Sequence, residues 1–143
     1  MAGKHRTEQL RTVELFSACS NRELAKIARM AEEVTFPADK ALLEQGASGS
    51  HAREAYVILR GSVVVRRNGR KIAELGPGES VGEMALFDNG PRTATVVAGT
   101  DLTVLVLQRQ QMLGLIDEMP ALASKMLQKL ARRLRESNRK LYG

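Results

Sequence analysis

The sequence predicts a mainly β fold with flanking helices. The expected core is an antiparallel, jelly-roll-like β-roll of about eight strands. An N-terminal helix precedes it, one short helix interrupts it, and two C-terminal helices close the chain. Three observations carry this expectation. From Glu32 to Gln108, short β-rich runs alternate with Gly, Pro and Asn punctuation. Asn68-Gly69 lies between two of these runs, and both central residues of a type I′ hairpin turn need φ > 0, which Asn and Gly tolerate. Extended helical spacing of apolar residues occurs only before Glu32 and after Gln108.

Taking the elements in order, residues 1–9 are polar and expected to be loose. Residues 12–31 carry a helical pattern: Ser20 and Glu23 have capping-box spacing, and Leu24, Ile27, Ala28 and Ala31 follow at helical intervals. Phe16 and Met30 are core candidates. The strand-like runs are 33–36, 41–44, 55–59, 62–66, 71–75, 93–97 and 102–107, separated by turn residues such as Pro37, Gly46, Gly61, Gly76-Pro77-Gly78 and Gly99. After Gln108, residues 110–118 form a short helix, Pro120 suits the first turn of another, and about 20 residues of helix follow. There is no internal repeat or low-complexity tract. The expected organisation is a flexible N-terminus over 1–9 and one domain over 10–143, with the roll at 32–108 and C-terminal helices at 109–141. Nothing after the last helix fits a helix-turn-helix.

Composition narrows the function. At 143 residues with 43% apolar and 27% charged side chains, the chain has a soluble globular balance and can bury one core. No run of roughly 18 uncharged apolar residues exists, which excludes a membrane-spanning helix. Met1-Ala-Gly-Lys-His-Arg6 lacks the apolar stretch of a secretory signal, so a cytoplasmic location is expected. With one cysteine, Cys19, and two histidines, His5 and His51, neither a disulfide nor a metal or other cofactor is expected. A metal enzyme built on a β-roll would need a His and carboxylate cluster that is missing. Ser80 and Cys19 have no nearby base in sequence to activate them, so no enzyme is expected.

The stretch from Gly76 to Val97 carries the chemistry. Glu83–Phe87 is expected to form a one-turn helix enclosed by glycines and strands, leaving backbone N–H groups unpaired at its start. Gly82 lets a ligand come close to the backbone. Glu83 offers an acceptor for a hydroxyl pair. Arg92, nine residues on and past the Asp88-Asn-Gly-Pro91 turn, can return a guanidinium to the same point. An arginine fork and helix-start amides make an anion site, and the adjacent carboxylate asks for a hydroxyl beside the negative charge, as in a ribose phosphate. On the residues alone, Glu83 and Arg92 could equally be an ion pair that pins a loop.

Gly82-Glu83-Met84-Ala85-Leu86-Phe87, followed by Pro91-Arg92-Thr93-Ala94, resembles the phosphate-binding cassette of the cyclic nucleotide-binding domain family. That family includes bacterial catabolite activators, kinase regulatory subunits and nucleotide-gated channels. The resemblance extends over residues 12–141 and includes the order of helix, β-roll and two helices. It implies that Glu83 accepts from the ribose 2′-OH and that Gly82, Ala85 and Leu86 present backbone to ribose and phosphate, with Met84 and Ala94 inside the same motif. It implies that Arg92 binds the cyclic phosphate and that Thr93 adds a hydroxyl to phosphate or base. A hydroxyl at Thr93 is compatible with cGMP and with cAMP; the tail's likeness to bacterial cAMP-responsive activators favours cAMP. Val64 and Val81 are either apolar walls near the base or plain core. The chain departs from the family between Gly46 and Gly61, where it is longer by roughly three residues around Ser50–Arg53, a loop holding His51 and Arg53.

The terminal helix holds the charge. The formal net charge is +6, and residues 119–143 supply all of it through Lys125, Lys129, Arg132, Arg133, Arg135, Arg139 and Lys140 against Glu136. These side chains read as a solvated face that also suits a helix C-terminus. Ala123, Leu127, Leu130, Leu134, Ser137 and Leu141 alternate four and three apart, a short heptad seam, with Leu122 and Met126 beside it facing the roll. The resemblance implies a homodimer through this helix and base contacts from Ser137 and Asn138. The expected function is a cyclic nucleotide sensor that couples binding in the roll to movement or dimerisation of the last helix and acts on an effector protein or domain. The alternative is binding of nucleic acid or an acidic partner through residues 125–140, over a degenerate nucleotide pocket.

Overall fold

The computed structural model describes residues 2–47, 54–83 and 92–142; of residues 2–5 and 137–142 it describes the backbone. The expected order is observed. Helices α1 (Ala2–Arg11) and α2 (Asn21–Met30) flank a 3-10 turn at Glu14–Phe16. Eight strands follow: β1 (Glu32–Phe36), β2 (Ala41–Leu43), β3 (Ala55–Arg60), β4 (Val63–Arg67), β5 (Arg70–Leu75), β6 (Ser80–Val81), β7 (Thr95–Ala98) and β8 (Leu102–Leu107). Helices α3 (Arg109–Glu118) and α4 (Pro120–Tyr142) end the chain.

The local signals in the sequence act as expected at several places. The Ser20 hydroxyl accepts from the Glu23 amide at 3.2 Å, and the Glu23 carboxylate accepts from the Ser20 amide at 2.8 Å, so α2 starts on a complete capping box. Asn68 and Gly69 adopt φ of 53° and 79°, and the turn joins β4 to β5 in antiparallel register. Two expectations need correction. Where loose chain was expected, residues 2–9 are helical: α1 runs from Ala2, and Leu10 on its last turn is fully buried. The helical segment at 12–31 is two elements, because the 3-10 turn ends before the Ser20 cap starts α2.

The strands form two four-stranded antiparallel sheets, ordered β1-β8-β3-β6 and β2-β7-β4-β5. Strand β3 is buried on both faces. Tyr56 and Ile58 point into the space between the sheets, with Leu43, Val63, Val81, Val96 and Val104. Ala55, Val57 and Leu59 point the other way, into a core with Phe16, Leu24, Ile27, Met112, Leu115, Leu122 and Met126. Period-two alternation thus divides one strand between two cores. The second core docks the start of α4 on the roll through Leu122 and Met126, the pair expected to face it. Cys19 is buried, and burial pushes its thiol up to about 11, the nearby Glu23 charge adding to the effect. It is therefore protonated at neutral pH and a poor nucleophile. Among the described residues, no helix is long and apolar enough to cross a membrane.

Candidate functional site

The site is assembled where β6 ends, against the loop after β2 and the start of β3. Gly82 follows β6 at φ +83°, a left-handed conformation that glycine adopts without strain. That bend turns Glu83 inward, and its carboxylate is fully buried. Lys129 from α4 reaches over β6 and meets Glu83 Oε1 as an ion pair. The same ammonium donates to the Ser80 hydroxyl at 3.2 Å and the Ser80 carbonyl at 3.4 Å. Glu83 Oε2 has no hydrogen-bond donor among the described residues. A fully buried carboxylate oxygen with no protein donor is costly to maintain and is suited to a ligand hydroxyl.

Arg92 is the second charged group, and it is only 6% exposed. Its backbone is held on both sides, with its amide donating to Ala47 O and its carbonyl accepting from Gly46 N, each at 2.8 Å. Its guanidinium donates to Gly82 O at 2.9 Å and to Glu54 O at 2.7 Å. Arg92 thus joins the end of β6 and the chain before β3 through its side chain, and the loop after β2 through its backbone. Among the described residues, Glu83 accepts no hydrogen bond from Arg92. They are brought to one end of the roll by Gly82, whose carbonyl Arg92 grips. Burial raises the Tyr56 hydroxyl above its ordinary pKa; the Glu54 charge adds to the rise, and the Arg92 charge opposes it.

The other residues singled out in the sequence separate into three groups. Val81 is 5% exposed in the core between the sheets, next to Gly82. Thr93 is exposed, its carbonyl accepting from Arg67 Nε at 3.1 Å, and Ala94 is half-buried beside it. Val64 is half-buried on β4, on the opposite face from Val63 and Val65, the two residues that pack between the sheets. The apolar residues of β4 that pack between the sheets are therefore Val63 and Val65. Met84, Ala85 and Leu86, with the rest of the expected one-turn helix to Phe87, lie outside the described residues, as do His51 and Arg53. Ser137 and Asn138 fall on the last turns of α4, and their side chains also lie outside the described residues.

Two contributors were missed in the sequence. The Glu54 carbonyl left no sequence signal, because any residue has one. Lys129 was placed on a solvated basic face, yet it is the ion-pair partner of Glu83. Arg132 is also engaged, through Glu14 Oε1 at 2.5 Å, and this contact lowers the Glu14 pKa. Lys125, Lys129, Arg132 and Arg133 line a groove between α4 and the roll, opposite Glu14 and Glu79.

The family model for the cyclic nucleotide-binding domain matches residues 33–119. The CRP-like cAMP-activated global transcriptional regulator of Mycobacterium tuberculosis is 28% identical over 139 residues, covering 94% of this chain and 61% of that protein. The cyclic AMP receptor protein of Thermus thermophilus is 39% identical over 111 residues, covering 74% of this chain and 50% of that protein. The crystal structure of Thermus thermophilus catabolite activator protein superposes with a TM-score of 0.81 at 35% identity, covering 90% of this chain and 61% of that one. The chain therefore spans between 50% and 61% of the length of these relatives.

Proposed function

The chain belongs to the cyclic nucleotide-binding domain family, and on that premise we propose that it is a sensor whose roll takes a cyclic nucleotide and reports its occupancy through α4. The observation that carries the reading is the juxtaposition at Gly82. On one side is a fully buried carboxylate with an oxygen that has no donor among the described residues; on the other is a buried guanidinium held by main-chain carbonyls. A ligand suited to both must combine a hydroxyl with an anion, and a cyclic ribose phosphate does. In this reading Glu83 accepts from the ribose 2′-OH. Arg92, aimed by the two carbonyls it holds, gives the phosphate oxygens charge-assisted bonds. Gly82, Met84, Ala85, Leu86, Thr93 and Ala94 frame the phosphate and ribose. Val81 walls the base side, and Ser137 and Asn138 approach the base from α4.

We place cAMP ahead of cGMP because the named bacterial relatives are a cyclic AMP receptor and a cAMP-activated regulator. Thr93, with its exposed position, does not decide between them. Isothermal titration of the purified chain with cAMP and with cGMP tests the proposal. The expected result is a dissociation constant in the micromolar range or below for cAMP, and weaker binding of cGMP. At about 100 times that concentration cAMP should add about 2.7 kcal/mol of stability. The absence of both binding heat and thermal stabilisation with either nucleotide would overturn the reading.

The output we propose is dimerisation in the cytoplasm, relayed to an effector protein or domain. Leu127, Leu130 and Leu134 are 66%, 37% and 64% exposed along one stripe of α4, at the spacing of a two-helix seam. Sedimentation equilibrium should give a dimer mass for the chain and a monomer mass for a Leu127→Lys/Leu134→Lys variant. A monomer in both would remove α4 as the dimer element. The alternative, an acidic partner or nucleic acid held by residues 125–140, stands second because Lys129 and Arg132 are already committed to Glu83 and Glu14.

A further inference from the structure

We propose that Lys129 is a positioning residue for the nucleotide ribose, completing the site from the terminal helix through Glu83. The proposal rests on the reading of Glu83 as a ribose acceptor. Three observations lead to it. The carboxylate is fully buried, so its charge needs a partner within the protein. The Lys129 ammonium supplies that charge at Oε1 and is itself fixed by both oxygens of Ser80 on β6. Oε2 has no donor among the described residues. The two oxygens of one carboxylate thus have different tasks: Oε1 ties α4 to the roll, and Oε2 is left for a hydroxyl.

This arrangement gives α4 a direct stake in the ligand. Ribose hydroxyl, Glu83, Lys129 and Ser80 form one chain of charge-assisted contacts from the pocket to the helix. Removing one member of a buried ion pair strands the other charge, so loss of Lys129 should disorder the acceptor that reads the ribose. By linkage, whatever Lys129 does for the nucleotide the nucleotide must do for the docking of α4, by the same factor. Lys129 lies between Met126, which is buried in the helix-side core, and Leu130, on the exposed stripe. The anchor therefore joins the buried and dimerising faces of α4.

The test is a cycle between one side chain and one hydroxyl. Lys129→Met keeps the stem and removes the charge. Wild type and variant are titrated with cAMP and with 2′-deoxy-cAMP, which lacks the hydroxyl Glu83 would accept. Wild type should prefer cAMP by about tenfold or more, the worth of a hydrogen bond to a charged group. In Lys129→Met that preference should largely vanish, with cAMP binding weakened and 2′-deoxy-cAMP binding little changed. Lys129→Arg should restore part of the preference. Equal loss for both ligands would overturn the proposal, since Lys129 would then act on folding or on the phosphate. So would an unchanged preference. A ligand-free readout separates this from failure of the underlying reading. Hydrogen exchange of the α4 amides should be faster in Lys129→Met than in wild type, whether or not any nucleotide binds. If wild type binds neither nucleotide, the ribose role falls with that reading. Unchanged exchange would then remove the anchor as well.

Discussion

Replacing Arg92 with alanine is expected to abolish cyclic nucleotide binding, lowering cAMP affinity by about 100-fold or more. The magnitude follows from the fork geometry: a guanidinium can give a phosphate two parallel charge-assisted bonds, each worth about 1.5–3 kcal/mol. The site is also poor in solvent, with Arg92 only 6% exposed, so screening takes little of that energy away. The same substitution should reduce stability. Gly82 O and Glu54 O would lose their donor, and a buried unpaired carbonyl costs about 1–3 kcal/mol. Binding must therefore be read well below the melting temperature, with circular dichroism showing a folded chain. Arg92→Lys separates charge from geometry. It keeps a cation but loses the planar fork, and its affinity should fall between those of wild type and alanine. Wild-type affinity in the alanine variant would put the phosphate somewhere else.

The sequence revealed the frame of this site better than its contacts. The β-rich runs and the Asn68-Gly69 turn foretell the strands because alternation and positive φ are local properties that a few residues fix among themselves. The capping box at Ser20 and Glu23 is equally local, and it is observed with both bonds made. Strand β6 is two residues long, too short to show a period, yet it delivers Gly82 and Glu83 to the pocket. Helix α1 was missed because Ala2–Arg11 has almost no apolar face; Leu10 alone is buried in its last turn, and tertiary packing decides the rest. Lys129 shows the limit most clearly. In sequence it is one of seven basic residues on an amphipathic helix, chemically indistinguishable from Lys125. Only the docking of Leu122 and Met126 sets the rotation of α4 that carries Lys129 to Glu83 and leaves Leu127 in solvent.

Gly82→Ala should affect fold and binding together, and more severely than its chemistry suggests. A Cβ at this position would lie 2.8 Å from Glu54 O and 2.9 Å from Arg92 Nη1, with Leu43 Cδ1 at 3.3 Å. The first of these is backbone and cannot swing aside. The second is the group the pocket needs in place. Left-handed backbone costs a residue with a Cβ about 1–2 kcal/mol, and forced overpacking adds about 1–3 kcal/mol. A loss of about 2–5 kcal/mol is therefore expected in urea unfolding. The comparison that isolates the clash is Gly69→Ala. Gly69 has nearly the same φ, +79°, but nothing within 4 Å of its Cβ position. That variant should show the backbone cost alone and leave cAMP affinity at the wild-type value. Gly82→Ala should exceed it in destabilisation and weaken cAMP by about tenfold or more, because the methyl pushes Arg92 off the two carbonyls that aim it. Equal behaviour of the two variants would mean that Arg92 can shift without loss, and that the grip on Gly82 O and Glu54 O does not determine where the phosphate binds.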